Sequence, residues 1–413
     1  MKRIAFLTVV CACLLGAQGN DLNFKMEKDG SGYAITWNEE TIIEKIPTQI
    51  AMNGLLGNVY VTGKMGKTIR YTEKMTLNVR TAKEAKALWE EYHFTLKASD
   101  FGYELSPGKR TMGGSRKVKV EYLIDLPANT SLATRTLGGK LNIKNLMGEM
   151  DLATAGGDLI LSRLNGKITA KTAGGNLKIS DLEGSISLYT AGGDITGSNL
   201  LGDLHIETAG GDISLMTSIG NLDLRTLGGD LKIHNHKGDR AIMVTFGGDI
   251  SAENISGDIN MRTNGGDIGI QNAIGNLEAK TFGGDIFCSE MNGNVILESM
   301  GGDIRGKKIT GSVQVENRSG DVHIQKIFGK GDDHSIRISA DNGKITLVLP
   351  TLENTIVNAL SRGYKAGIKS DFEMNIMQKD PRRIYVNERF GKGDYLIDLK
   401  ADNGDIQIIR TNP

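Results

Sequence analysis

Thr154-Ala155-Gly156-Gly157-Asp158-Leu159-Ile160-Leu161-Ser162-Arg163-Leu164-Asn165-Gly166-Lys167-Ile168-Thr169-Ala170-Lys171 is followed at once by a near copy from Thr172 and another from Thr190. With the threonine as position zero, the register also starts at Thr136, Thr208 and Thr226. It passes over one extra residue between Gly238 and Thr245, then resumes at Thr263, Thr281, Ser299 and Asn317. Eleven units result, ten of them with an intact glycine pair. A fixed short period is the mark of a repeat architecture and not of a single globular core.

Inside each unit the apolar residues alternate, which is strand periodicity. Ile168, Ala170 and Thr172 share one face of a strand, and Thr169 and Lys171 share the other. The threonine column is therefore expected to point inward at a corner, its hydroxyl satisfying turn backbone. A further glycine midway through the unit (Gly148, Gly166, Gly184, Gly202) adds a second bend at least. Short strands with glycine corners make one coil of an all-β solenoid, a single-stranded β-helix. At the inter-strand spacing of about 4.8 Å, eleven coils make a rod of roughly 50 Å. A lone coil cannot bury enough to fold, and the open ends of the stack must be covered or they template edge-to-edge aggregation.

The flanks suit that task. The expected organisation is an export signal over residues 1–19, a β-rich N-terminal cap with one helix over 20–130, the regular solenoid over 131–329, and irregular coils and a cap over 330–413. Thr81-Ala82-Lys83-Glu84 reads as a capping box, followed by an apolar stripe of Ala85, Leu88 and Trp89 that is expected to pack on strands. At the N-terminus, Lys2 and Arg3 precede the apolar run from Ile4 to Leu15, and Ala17-Gln18-Gly19 supplies a small-residue cleavage site. A lipid attachment at Cys13 is the alternative processing. Cleavage after Gly19 leaves Cys288 alone, so no internal disulfide is available to the mature chain.

The chain has 413 residues with 49 basic and 49 acidic side chains, a formal net charge of zero. That balance argues against nucleic acid as a partner, since such binding rests on a basic surface. The sequence contains no serine-centred elbow, no phosphate-cradling glycine loop before a helix and no His-Glu metal motif. A non-enzymatic protein is expected, with a glycan-processing β-helix as the remote alternative.

Tyr122-Leu123-Ile124-Asp125-Leu126-Pro127-Ala128-Asn129-Thr130, followed by the Thr-x-Gly-Gly register, resembles the DUF4097 family of exported bacterial proteins. So do Gly343-Lys344-Ile345-Thr346-Leu347-Val348-Leu349-Pro350, Ile368-Lys369-Ser370-Asp371-Phe372 and Asn403-Gly404-Asp405-Ile406. The resemblance covers roughly residues 30 to 410 and implies a right-handed β-helix outside the cytoplasmic membrane, in a family labelled as adhesins. It implies no reaction. The expected role is adhesin-like binding of a protein, glycan or cell-envelope component, with a self-associating envelope scaffold as the alternative.

Three sets of residues are candidates for more than architecture. An aspartate four positions after the threonine recurs as Asp158, Asp194, Asp212, Asp230, Asp249, Asp267, Asp285, Asp303 and Asp321, with Lys140 and Asn176 as exceptions. Stacked carboxylates repel, and calcium would relieve them, most plainly over Asp194 to Asp303. Yet the calcium β-roll repeat places a further glycine before its aspartate. The structural alternative has each aspartate bonding turn backbone while the glycines supply positive φ. The column just after the threonine changes from Ala155, Ala173, Ala191 and Ala209 to Leu227, Phe246, Asn264, Phe282 and Met300. Facing outward, Leu227, Phe246, Phe282 and Met300 form an apolar contact strip; facing inward, they fill corner space. His234 and His236 lie close on a strand, but no third ligand follows at zinc spacing, and Cys288 falls in a column of core positions.

Overall fold

The computed structural model describes residues 24–44, 46, 49–100, 102–107, 118–328 and 333–411. The export signal expected over 1–19, with Cys11 and Cys13, lies outside them. The repeat register is realised as parallel pairing at a separation of one unit. Leu159 pairs with Leu177, Leu177 with Ile195, and Ile168 with Ile186. The side chains expected to fill a coil do so: Leu159, Leu161, Leu164, Ile168 and Ala170 are all fully buried.

Each coil has three bends, and they arise from three different causes. Arg163 is the first, with φ 52°, and the equivalent positions Asn145, Asp181, Asn199, Asn235, Asn254, Asn272, Glu290 and Lys308 are left-handed too. Thr217 departs, since a β-branched residue resists that conformation, and the strand breaks there into Ile213–Leu215 and Ser218–Ile219; Lys326 of the last unit departs too, where the register shifts. The second bend is the midway glycine, with φ 130° at Gly166 and 124° at Gly184. The third is the glycine pair. Neither glycine of any pair lies in the left-handed region, which corrects the expectation that the pair supplies positive φ. What the second glycine supplies is close approach. A Cβ built on Gly193 would sit 2.0 Å from the carbonyl oxygen of Gly175 in the coil before it, whereas one on Gly192 meets nothing nearer than 4.0 Å. The extra residue after Gly238 is absorbed as a bulge between Lys237 and Arg240, and pairing recovers at Arg240 with Asp258.

At the N-terminal end the two sides of the first coil continue into non-repeat strands. One side runs from Leu141–Met147 through Asn58–Lys64 and Val118–Pro127 to the antiparallel strands Thr68–Leu77, Gly32–Ile42 and Phe24–Asp29. The other runs from Ser131–Thr136 through Gln49–Leu55 and Gly102–Pro107 to Phe94–Ser99. Helix Ala82–Tyr92 packs on this end, its N-cap Thr81 accepting from the Glu84 N–H. Ala85 and Tyr92 are buried, and Leu88 and Trp89 pack half-buried against the core. Below the helix the buried Glu73 carboxylate accepts from the Tyr71 hydroxyl at 2.6 Å and lies 2.8 Å from His93 Nδ1.

At the C-terminal end the order of stacking departs from the order of the chain. Strand Ile336–Asn342 pairs with Tyr395–Ala401, which in turn pairs with Thr355–Arg362. Likewise Ile345–Leu349 pairs with Asp405–Arg410, which pairs with Gly367–Ser370. The coil made by residues 395–410 is thus inserted beneath the earlier coil of residues 355–370. The antiparallel strands Arg383–Arg389 and Met377–Asp380 then cover the outer edge. Lys326 takes a core position opposite Ile309 and is fully buried. Its ammonium donates to the carbonyls of Thr310 and Gly311, which the lengthened coil after it leaves without a strand above.

Candidate functional site

The glycine-pair corner comes first, because it holds the candidate metal column. Every threonine of the register is buried. Thr208 Oγ1 donates to the Gly193 carbonyl of the preceding coil at 2.9 Å and accepts from the Gly211 N–H of its own coil at 3.2 Å. The same two bonds recur at Thr190, Thr226, Thr263 and Thr281, and Ser299 makes them with its own hydroxyl. Each hydroxyl therefore welds its corner to the one beneath it, as the inward orientation predicted.

The aspartates form a second ladder beside the first. Asp194 Oδ1 accepts the backbone N–H of Asp212 at 3.0 Å, Asp212 Oδ1 that of Asp230 at 2.8 Å, and Asp230 Oδ1 that of Asp249 at 3.0 Å. Asp249, Asp267, Asp285 and Asp303 continue it to Asp321. Asn176 serves in the same place, its Oδ1 accepting from the Asp194 N–H at 2.8 Å, and Asn58 of the cap starts the series at Lys140. An amide oxygen does this work as well as a carboxylate, so the column's shared requirement is an acceptor, not a charge. Among the described residues no group of three His, Cys, Asp or Glu side chains is gathered as a metal site. Nor do the histidines converge. The left-handed Asn235 between them reverses the alternation, so His236 turns inward to Ser218 at 2.9 Å while His234 faces Glu253 outside at 3.2 Å. Burial lowers the His236 pKa. Cys288 is fully buried opposite Ile270, and desolvation pushes its thiol up to about 12.

The column after the threonine faces outward. Leu227 is 65% exposed, Phe246 63%, Phe282 59% and Met300 48%. Because Leu227 and Phe246 sit on adjacent coils, as do Phe282 and Met300, they form a ridge along the rod with Asn264 in its middle. At its C-terminal half the ridge walls a cleft of about 610 Å³. Its floor is the buried Thr281, Ser299 and Asn317; one wall is Phe282 and Met300, and the other carries Lys280, Glu298 and Glu316. Lys280 bridges Glu278 on its own strand at 3.0 Å and Glu298 on the next coil at 2.9 Å, tying two coils together across the outer face. Those neighbouring carboxylates raise the Lys280 pKa, so the wall stays ionised. An apolar ridge beside a fixed charged wall combines area that can be buried with polar groups that can set orientation. The outward-facing polar columns of this side were not singled out from the sequence. Their signal, polar residues at the outward positions of each coil, is shared by any solvated strand.

Parallel coils, a buried apolar interior and a ladder-welded corner define a repeat protein of the β-solenoid-like class, with strands and a single helix among the described residues. The family model described as Toastrack DUF4097 matches residues 109–289 and 219–409. The chain belongs to that family. No curated protein matches it. Among solved structures it is similar to a candidate cell adhesion protein from Clostridium sporogenes, at 12% identity over 91% of this chain and 100% of that one, TM-score 0.15. It is also similar to a candidate adhesin from Bacteroides fragilis, at 18% identity over 68% of this chain and 96% of that one, TM-score 0.25. Another candidate adhesin, from Parabacteroides merdae, shares 12% identity over 68% and 95%, TM-score 0.22. Overlaps at these scores support neither a shared overall shape nor a shared activity. Among the described residues no helix is long and apolar enough to cross a membrane.

Proposed function

We propose that this chain is an exported, non-catalytic, adhesin-like solenoid that holds a partner on its outer surface through the ridge from Leu227 to Met300. The right-handed winding implied by the family resemblance belongs to the same reading. The observation that carries it is the exposure of Leu227, Phe246, Phe282 and Met300 within one stretch of a register column, where the four units before it place alanine. Exposed apolar area concentrated in a strip has a cost in solubility that a binding surface justifies. The uniform, short corners build no deep cleft of the kind a polysaccharide-cleaving β-helix uses. Among the described residues antiparallel strands end the stack on both sides at the N-terminal end and on one side at the C-terminal end, which leaves less parallel edge for the scaffold alternative.

Phe246→Ala combined with Phe282→Ala tests the reading. Sedimentation of the purified chain with bacterial envelope preparations should show binding lost in the double variant, while its thermal midpoint stays within about 1–2 °C of the parent. Undiminished binding sinks the ridge as the contact surface. Filaments of the purified chain in electron micrographs would replace the adhesin-like reading with the scaffold.

A further inference from the structure

We propose a second, separate binding site: a polar groove along the opposite edge of the same side, which takes an uncharged polysaccharide lying parallel to the rod axis. The groove encloses about 580 Å³. It runs between the corner column of Asp258, Asn276 and Asn294 and the strand column of Asn260, Ile296 and Gln314, over the backbone of the buried residues between them. The ridge lies at the other end of the five-residue strands such as Leu277–Thr281, roughly 13 Å away.

Three properties of the groove select the ligand. Its charges are offset locally: Glu278 is held by Arg262 and by Lys280, each at 3.0 Å, and Asp258, which accepts from Asn276 Nδ2 at 3.0 Å, lies in register with Arg240 on the coil before. A polyanion or polycation gains nothing there. Of its amides, Asn260 and Asn276 already donate to Glu278 at 2.7 Å and to Asp258 at 3.0 Å, so Asn294 and Gln314 supply the groups that match hydroxyls, which donate and accept at once. Asn294 Oδ1 is occupied by the N–H and the hydroxyl of Ser312, both at 2.9 Å, which leaves its Nδ2 as an outward donor. Among the described residues the Gln314 side chain has no hydrogen-bond partner. Ile296, 38% exposed, is an apolar platform in the middle of this polar lining, suited to the C–H face of a sugar ring. The groove follows the same two register positions through successive coils along the rod. That shape fits a chain of similar units better than a compact molecule.

Isothermal titration of the full chain with maltohexaose, cellohexaose and chitohexaose tests the site, with polygalacturonate as the anionic control. At least one neutral oligosaccharide should bind saturably. Asn294→Asp, which keeps the acceptor for Ser312 and removes the Nδ2 donor, combined with Gln314→Leu should weaken that binding at least about tenfold, and Ile296→Asp should do so independently, with both proteins melting as the parent does. The Phe246→Ala, Phe282→Ala chain should bind the oligosaccharide normally, which separates this site from the ridge. No binding of any neutral oligosaccharide overturns the proposal, as does preference for polygalacturonate or binding indifferent to both groove variants.

Discussion

Gly192 and Gly193 are neighbours of identical chemistry, and the structure assigns them opposite tolerance to a methyl group. At Gly193 a Cβ would lie 2.0 Å from the Gly175 oxygen and 2.5 Å from its carbon, so the coils must part by about 1 Å to reach ordinary contact. Overpacking of this kind costs roughly 1–3 kcal/mol. The displacement also strains the bond from the Gly193 N–H to Thr190 Oγ1 and that from Thr208 Oγ1 to the Gly193 carbonyl, each worth about 1 kcal/mol. Gly193→Ala should therefore lose about 3–5 kcal/mol. Gly192→Ala meets only the Ala173 oxygen at 4.0 Å and restricts the unfolded chain, so it should be neutral or stabilising by up to about 1 kcal/mol. Urea unfolding followed by circular dichroism gives the two midpoints. Amide exchange around residues 190–212 tells whether the loss is local, as a stack of repeats that need not unfold all at once allows. Equal losses in the two variants would refute the close-approach account of the glycine pair.

Other consequences are as direct. Thr226→Val keeps the shape but removes the hydroxyl that donates to Gly211 O and accepts from Gly229 N–H; it should cost about 2 kcal/mol in the same urea assay. Cys288 should resist alkylation in the native chain and react only in denaturant, as read by mass spectrometry of its peptide. Because its folded pKa is raised to about 12 from 9.0, the stability it contributes is complete below pH 9 and is lost as pH rises toward 12. Cys288→Ala should flatten that alkaline decline. His236 shifts the other way, lowered by burial, so its contribution is complete above its ordinary value of 6.5 and falls away in acid. His236→Leu should be less sensitive than the parent to acidification from pH 7 to 5 in thermal melts.

The repeat register was readable because it is carried by side chains whose types recur: apolar residues at inward positions, threonine at the corner, glycine where the backbone turns or touches. The inward threonines and the buried Cys288 follow from alternation alone. The left-handed bend was not readable in the same way. Its column holds Asn145, Arg163, Asp181, Glu290 and Lys308, and only the abundance of asparagine hints at that conformation. That bend reverses alternation, and so His234 and His236 part company despite their spacing. The glycines were visible but not their separate causes: the midway glycine combines positive φ with close approach, and the second glycine of the pair needs close approach alone. Alternation could not orient the column of Phe246 and Phe282, because it follows the strand into a turn, where the period-two rule ends. The caps depend on pairing between segments far apart in the chain, such as Asn58–Lys64 with Leu141–Met147, and no local pattern announces such partners.

The coil of residues 395–410, lodged beneath the earlier coil of residues 355–370, sets a timetable. As the chain leaves the ribosome, coils from 131 onward can each settle on a finished predecessor. Residues 355–370 cannot: the layer they rest on has not yet been made. They must wait, together with the strands at 377–389, until the last layer arrives and slides into the gap. A chain cut before Tyr395 should therefore keep a sound rod with an unfinished tip, susceptible to protease at that end alone.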